Sequence, residues 1–253
     1  MATFFEKNVL ITGASSGIGM EIANKLANTK CNLFLAARRV EILEKIASDN
    51  KNMPANIYPI ECDVSDKESV SKAYARIKEN AGYIDIAILN SGISHRTDKL
   101  DYDSSVAQEI FNVNIMGLVH FIEVLLPDYK SRRSGIIAGV SSLADKRGFS
   151  KSGFYCASKA AATLILESLR VELKNYNVKV ITIKPGFVKT PMTDKNKFKM
   201  PLLIPASKAA DIIVKGIEKE KSIIEFPLMT AIGSKLLRIM PDFIFDTIAD
   251  KAK

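Results

Sequence analysis

Cysteine is scarce, with only Cys31, Cys62 and Cys156 in the chain. An odd count without paired spacing argues against a disulfide framework and against a cysteine-ligated zinc site, so no metal is expected. A reducing compartment, the cytoplasm, is the expected location. The opening MATFFEKNVLITG lacks a basic leader and a cleavage site before its first strand-like run, so no signal peptide is expected. No Pro-, Gly- or Ser-rich linker, internal repeat or low-complexity tract divides the 253 residues, which favours a single domain over 1–253. The C-terminal end likewise lacks a long uninterrupted apolar run. In the apolar C-terminal extension, 226–253, Ile232, Leu236, Ile239, Met240 and Phe243 share a helical face. Lys235, Arg238, Pro241 and Asp242 break the run, which rules against a membrane span. That face should be covered, by the protein's own core, by a second subunit, by a lipophilic substrate or by peripheral contact with a membrane surface.

What is present is an ordinary globular composition, 47% hydrophobic and 25% charged, with a net charge of +8. A basic surface favours anionic partners in general. The lysines are scattered, densest at Lys189, Lys195, Lys197 and Lys199, so no nucleic-acid face is expected. Short β-branched runs (NVLIT, CNLFLAA, NIYPIECD, IDIAILN, SGIIAGVSS, VKVITIKPG, SIIEF) alternate with amphipathic stretches such as EIANKLAN and ESVSKAYARIKEN. Alternation of this kind needs right-handed crossovers, and so predicts a doubly wound α/β fold: a parallel, Rossmann-like sheet with helices on both faces.

Gly13, Gly17 and Gly19 lie at the first strand-to-helix junction, VLITGASSGIGMEIANKL. Glycine there lets backbone N–H groups approach an anion, and the following helix adds its N-terminal dipole, so a nucleotide diphosphate is the expected ligand. About 20 residues beyond such a turn, an acid commonly reads a free ribose 2′-hydroxyl. Here the second strand ends in Ala36 and Ala37, followed by Arg38 and Arg39. Two guanidiniums without a carboxylate suit a 2′-phosphate, which points to NADP(H).

Tyr155 and Lys159 stand one helical turn apart in SGFYCASKAAATLILESLR. That spacing alone is weak: roughly 0.7 Tyr-x-x-x-Lys matches are expected by chance in such a composition. A decoy is present at Tyr74 and Lys78. The surroundings separate the two, because Ser142 ends the strand thirteen positions before Tyr155, whereas Glu61 stands thirteen before Tyr74.

TGASSGIG, Cys62-Asp63-Val64, Asn90-Ser91-Gly92, Asn114, Ser142, Tyr155-x-x-x-Lys159 and Lys184-Pro185-Gly186 occur in one order from about residue 7 to 193. This set resembles the short-chain dehydrogenase/reductase family. The resemblance implies an oxidoreductase that interconverts a small-molecule ketone or aldehyde and an alcohol by hydride transfer. A nucleotide-binding scaffold without turnover is the alternative from another class; a membrane-associated reductase of long-chain acyl or sterol-like substrates is the alternative within enzymes. Tyr155 is implied as general acid and base. Its phenol titrates near pH 10 in water, and the neighbouring Lys159 ammonium is expected to bring that value down. Ser142 would hydrogen-bond the substrate oxygen. By the resemblance, Lys159 also holds the nicotinamide ribose, and Asn114 positions a proton-relaying water. The implied cofactor contacts are Ser15, Ser16 and Ile18 within the glycine turn, Asp63 and Val64 at the adenine, Asn90 and Gly92 in the groove, and Pro185, Gly186, Val188 and Thr190 at the nicotinamide end. Ser91 departs from the family's usual alanine.

Substrate identity is expected to reside in SHRTDKLDYD, in a substrate loop or lid at 187–207 and in the C-terminal extension. Met192, Phe198, Met200, Leu202 and Leu203 mixed with lysines suit an apolar substrate with an anionic handle, which His95 and Arg96 could contact. Family resemblance also implies a homo-dimer or tetramer.

Overall fold

The computed structural model describes residues 2–95, 102–196 and 200–251. Arg96 and most of SHRTDKLDYD, with Lys197, Phe198 and Lys199, lie outside the described residues. In chain order the elements are β1 (Asn8–Thr12), α1 (Gly17–Leu26), β2 (Asn32–Ala37), α2 (Val40–Asp49), β3 (Asn56–Glu61), α3 (Lys67–Ala81), β4 (Ile86–Leu89), α4 (Ser104–Phe111), α5 (Gly117–Arg132), β5 (Gly135–Val140), α6 (Gly153–Glu172), β6 (Val178–Pro185), β7 (Val188–Lys189), β8 (Ile204–Pro205), α7 (Ala206–Glu218), β9 (Ile223–Phe226), α8 (Leu228–Ile239) and α9 (Asp242–Lys251).

Seven strands form one sheet in the order β3-β2-β1-β4-β5-β6-β9, with every pairing parallel. Its strands are the seven β-branched runs of the sequence. Because successive side chains alternate in direction, each central strand feeds two cores. Val9, Ile11, Leu33, Leu35, Ile86 and Ile88 pack with α1 and α7 on one face. Leu10, Phe34, Ala87, Leu89 and Ile137 pack with α3, α5 and α6 on the other. β1 is buried at all five positions, as expected of a parallel strand covered on both sides. After β3 the chain returns past β1 to build β4, and this reversal opens a crevice at the carboxyl ends of β1 and β4.

At the opposite end of the sheet, three asparagines stand in register across β1, β2 and β3. Asn56 Nδ2 donates to Asn32 Oδ1 at 3.0 Å, and Asn32 Nδ2 donates to Asn8 Oδ1 at 2.8 Å.

Residues Ser104–Arg132 are long and apolar enough, by length and composition, to cross a membrane. Within this stretch Leu118, Phe121, Ile122, Leu125 and Tyr129 are buried in the second core. The substrate loop is closed at its base by β7 and β8, which pair in parallel. The C-terminal stripe corrects one expectation. Ile232, Leu236, Ile239 and Phe243 are exposed, so the chain's own core does not cover them. Ala231 and Ser234 are buried instead, because the small face of α8 is the one that fits against the sheet edge, and Phe245 of α9 is buried beside Phe149 and Arg147.

Candidate active site

Above the crevice lies a cleft of about 630 Å³ that reaches from the glycine turn to Met192 and Lys195. One end is built by the β1–α1 junction. Gly13 and Gly17 adopt positive φ (65° and 55°), open to glycine at little cost. Gly19 is forced by contact: a Cβ there would lie 2.5 Å from Gly13 O. Ser16, the N-cap of α1, makes no side-chain capping bond, which leaves the first-turn N–H groups to meet an anion. Thr190 faces this turn, its methyl 3.0 Å from where a Gly17 Cβ would stand. Asn90 is a staple between β4 and the turn, its Nδ2 donating to Thr12 O at 3.1 Å and Gly13 O at 3.3 Å. Thr12 Oγ1 in turn accepts the N–H groups of Asn90 and Ser91 at 3.0 and 3.1 Å.

At the end of β2, Arg39 Nη2 donates to Ser15 Oγ at 3.0 Å, which fixes a guanidinium beside the glycine turn. Arg38 is 63% exposed and stands 3.9 Å from the Asp63 carboxylate. The other Asp63 oxygen accepts from Ser65 N and Ser65 Oγ at 2.9 and 2.7 Å. An uncapped helix, side-chain-free glycines and two arginines without a carboxylate on β2 fit a dinucleotide diphosphate and its adenosine end.

The other end is built by β5 and α6. The alanines and leucines of α6 favour helix, and its buried row runs Cys156, Lys159, Ala162, Leu166, Leu169 at spacings of three and four. Lys159 is thereby drawn into an apolar row and is only 4% exposed. Its Nζ donates to Val140 O at 2.9 Å and lies 5.8 Å from the Tyr155 ring centroid. Desolvation lowers the Lys159 pKa to about 8. Tyr155 is half-buried and lines the cleft. The expected depression of its phenol is corrected here: burial pushes it above the ordinary value, and a hydrogen bond with Ser142 offsets only part of that. The Lys159 ammonium is directed at a backbone carbonyl rather than at the phenol oxygen, so its charge does not dominate. The Ser142 hydroxyl accepts Ala144 N at 3.1 Å and reaches Pro185 O at 3.5 Å.

Asn114 lies in a π-turn, Asn112–Met116, between α4 and α5. Such a bulge breaks the helical register, and functional sites use it often. The side chain is 3% exposed, with Nδ2 donating to Ile93 O and Ser158 Oγ, each at 2.9 Å, and Oδ1 accepting Ile93 N at 2.8 Å. The amide therefore ties the segment after β4 to α6 rather than lining the cleft. A Cβ on Gly92 would lie 3.2 Å from Lys159 Nζ and 3.3 Å from Asn114 Oδ1, which places all three groups at one point.

Of the residues singled out in the sequence, Gly13, Ser15, Ser16, Gly17, Ile18, Arg38, Arg39, Asp63, Val64, Asn90, Gly92, Ser142, Tyr155, Lys159, Pro185, Gly186, Val188 and Thr190 line this one cleft. Gly19 and Asn114 stand behind its wall. Glu109, which nothing in its helical context singles out, also lines the cleft and pairs with His95, Nε2 to Oε2 at 3.2 Å. Asp145 and Thr163 support the wall from behind, unannounced by any short spacing; Thr12 and Lys184, which belong to the quoted motifs, do so too, and Ser141 lines the cleft beside Ser142. Among the described residues no group of three or more His, Cys, Asp or Glu could hold a metal ion.

A sequence profile described as short chain dehydrogenase matches residues 7–200. An uncharacterized oxidoreductase of Myxococcus xanthus is 31% identical over 253 residues, covering all of both chains. An NADP-dependent 3-hydroxy acid dehydrogenase of Schizosaccharomyces pombe is 32% identical over 187 residues, covering 73% of this chain and 72% of that one. Among solved structures, a short chain dehydrogenase/reductase from Burkholderia phymatum in complex with NAD superposes with a TM-score of 0.85 at 22% identity, covering 93% and 94% of the two chains.

Proposed function

The chain belongs to the short-chain dehydrogenase family and is an oxidoreductase, and from that premise we propose that it interconverts a ketone or aldehyde and an alcohol with NADP(H), using Tyr155 as general acid and base. The observation that carries this reading is the convergence of Tyr155, Ser142 and Lys159 on the cleft that the glycine turn and Arg39 enter from the other side.

The bound dinucleotide would supply or accept the hydride. A phenol held above its ordinary value is protonated at neutral pH and ready to donate to the substrate oxygen in the reducing direction. The Ser142 hydroxyl donates to the same oxygen and stabilises the negative charge that develops there. The phenolate left behind would be costly in this buried setting, so a proton must return to it promptly. A water beside the Lys159 ammonium near Gly92 would return the proton. In the oxidising direction each transfer runs backwards.

The preference for NADP(H) rests on Arg38 and Arg39, on Ala36 and Ala37 where an acid would read a 2′-hydroxyl, and on the fission-yeast relative's name. The Burkholderia structure holds NAD and a short-chain dehydrogenase from Sphingobium yanoikuyae holds NADPH, so the fold itself accommodates either dinucleotide. Met192, Lys195 and His95 at the far end of the cleft support a substrate with an apolar body and an anionic group. The exposed stripe of α8 and α9 supports self-association, which sedimentation velocity would measure. The deciding assay follows NADPH consumption against a panel of 3-oxo acids, ketones and aldehydes. Turnover by the parent with loss in Tyr155→Phe is expected; equal rates in both would remove Tyr155 from the mechanism.

A further inference from the structure

Behind the reacting groups lies a set of buried charges that the chemistry above does not use. Asp145, in the short 3-10 turn that follows Ser142, has a side chain 1% exposed, and its Oδ2 accepts from Lys184 Nζ at 2.8 Å. Lys184, 5% exposed at its side chain, is next to Pro185, whose carbonyl faces the Ser142 hydroxyl. The same Asp145 oxygen accepts from Thr163 Oγ1 at 2.7 Å. Ser141 Oγ lies 2.7 Å from Thr163 Oγ1 and 2.8 Å from the backbone carbonyl of Lys159; with the Thr163 proton given to Asp145, the single Ser141 proton goes to one or the other. Ser141 N also donates to Ile183 O at 2.8 Å. The second Asp145 oxygen faces Lys146 Nζ at 3.5 Å.

An ion pair this deep is poor evidence for stability, since apolar residues of similar volume commonly hold a core as well or better. What apolar contacts do less well is fix the relative setting of segments that would otherwise slide. Three segments meet here: the end of β5 with Ser142, helix α6 with Tyr155 and Lys159, and the end of β6 with Pro185 and Gly186. Each contributes a group to the network, and each carries part of the proposed reaction centre.

We infer that Asp145 and Lys184 are positioning residues, whose ion pair, extended through Thr163 and Ser141, sets the Ser142 hydroxyl against the Tyr155 phenol and the β6 lip. The inference rests on the function proposed above. It separates from a merely structural role through the double variant Asp145→Leu/Lys184→Met, which removes both charges of the pair; Lys146, which also faces Asp145, keeps partial access to solvent, and the Thr163 hydroxyl can turn to Ser141. Single variants at either position should melt early, Asp145→Leu the more so, because it leaves the buried Lys184 ammonium without its carboxylate, whereas Lys184→Met leaves Asp145 only the longer contact with Lys146. In the double variant the melting temperature should return to within a few degrees of the parent, while kcat falls roughly tenfold or more, since small misplacements of reacting groups are costly. Its Kd for NADPH, read by fluorescence, should stay within about threefold of the parent. Thr163→Val, which deletes one hydroxyl at nearly constant volume, should lower kcat roughly threefold to tenfold with the fold intact. A double variant or a Thr163→Val variant whose kcat lies within twofold of the parent overturns the inference while leaving the proposed function standing. A parent without turnover on any carbonyl overturns the proposed function, and this inference with it.

Discussion

Helices α3 and α6 each carry a tyrosine followed four residues later by a lysine, and the two pairs have almost the same internal geometry. Lys78 Nζ lies 5.9 Å from the Tyr74 ring centroid, and Lys159 Nζ lies 5.8 Å from that of Tyr155. The helix fixes this distance, so it says nothing about chemistry. Everything else differs. Lys78 is exposed, and the Tyr74 hydroxyl is buried with no hydrogen-bond partner among the described residues. Lys159 is buried and bonded to Val140 O, and Tyr155 meets Ser142 at the wall of a cleft. A two-residue motif becomes a reaction centre only where the topology delivers a third and fourth group, and α6 lies against the strand ends that deliver them.

The contrast is broken most directly at the phenols. Tyr155→Phe should lower kcat by roughly a thousandfold, within the range expected for loss of a general acid, while Tyr74→Phe should leave it within about twofold. Equal losses in the two variants would erase the distinction.

The cofactor end offers a smaller effect. Arg39→Ala should weaken NADPH binding by about tenfold and NADH binding hardly at all, because bidentate phosphate contacts are charge-assisted. Isothermal titration with both dinucleotides measures it. Equal affinities for NADPH and NADH in the parent would show that the arginines do not select a phosphate.

The lysines sharpen the contrast through pH. A Lys159 pKa lowered to about 8 predicts a parent kcat/KM that declines above about pH 8 as the ammonium is lost. Stability moves the other way. Between about pH 8 and the ordinary lysine value of 10.5, the folded chain binds fewer protons at this site than the unfolded chain, so this site makes the protein more stable as pH rises through that window. Lys159→Met should lose that slope in denaturant titrations, whereas Lys78→Met should keep it.

The smallest effect belongs to the decoy itself. Its buried hydroxyl lacks a partner, so Tyr74→Phe should leave the protein as stable or up to about 1 kcal/mol more stable, read by the same titrations.

How much of this was legible in the sequence follows from the range over which each signal acts. The seven strands were legible because each is a local β-branched run, and the glycine turn because its strand and helix flank it directly. The cleft's lining was legible because the motifs mark strand ends, and in a parallel sheet those ends share one side. The Asp145–Lys184 pair was not legible, since it joins residues 39 apart that no periodicity connects. The direction of the Tyr155 shift was misjudged because a helical turn specifies proximity but not where an ammonium points. For the C-terminal stripe the sequence left several covers open, and the structure removes only the chain's own core, because Ala231 and Ser234 of α8 are the residues turned inward.

The ladder of Asn8, Asn32 and Asn56 has a bearing on how the sheet assembles. β1 and most of β2 are apolar on both sides, so sliding one strand past the next by a residue would exchange one oily surface for another with little hydrophobic penalty. Such a slip would also separate three amides that now bond in line, and Asn8, the buried one, would lose its side-chain donor at the sheet's amino end. The three amides thus act as an alignment mark: by setting the stagger at one end of the strands, they decide which residues of β1 and β2 arrive together at the other, where Gly13 and Arg39 must meet the same ligand.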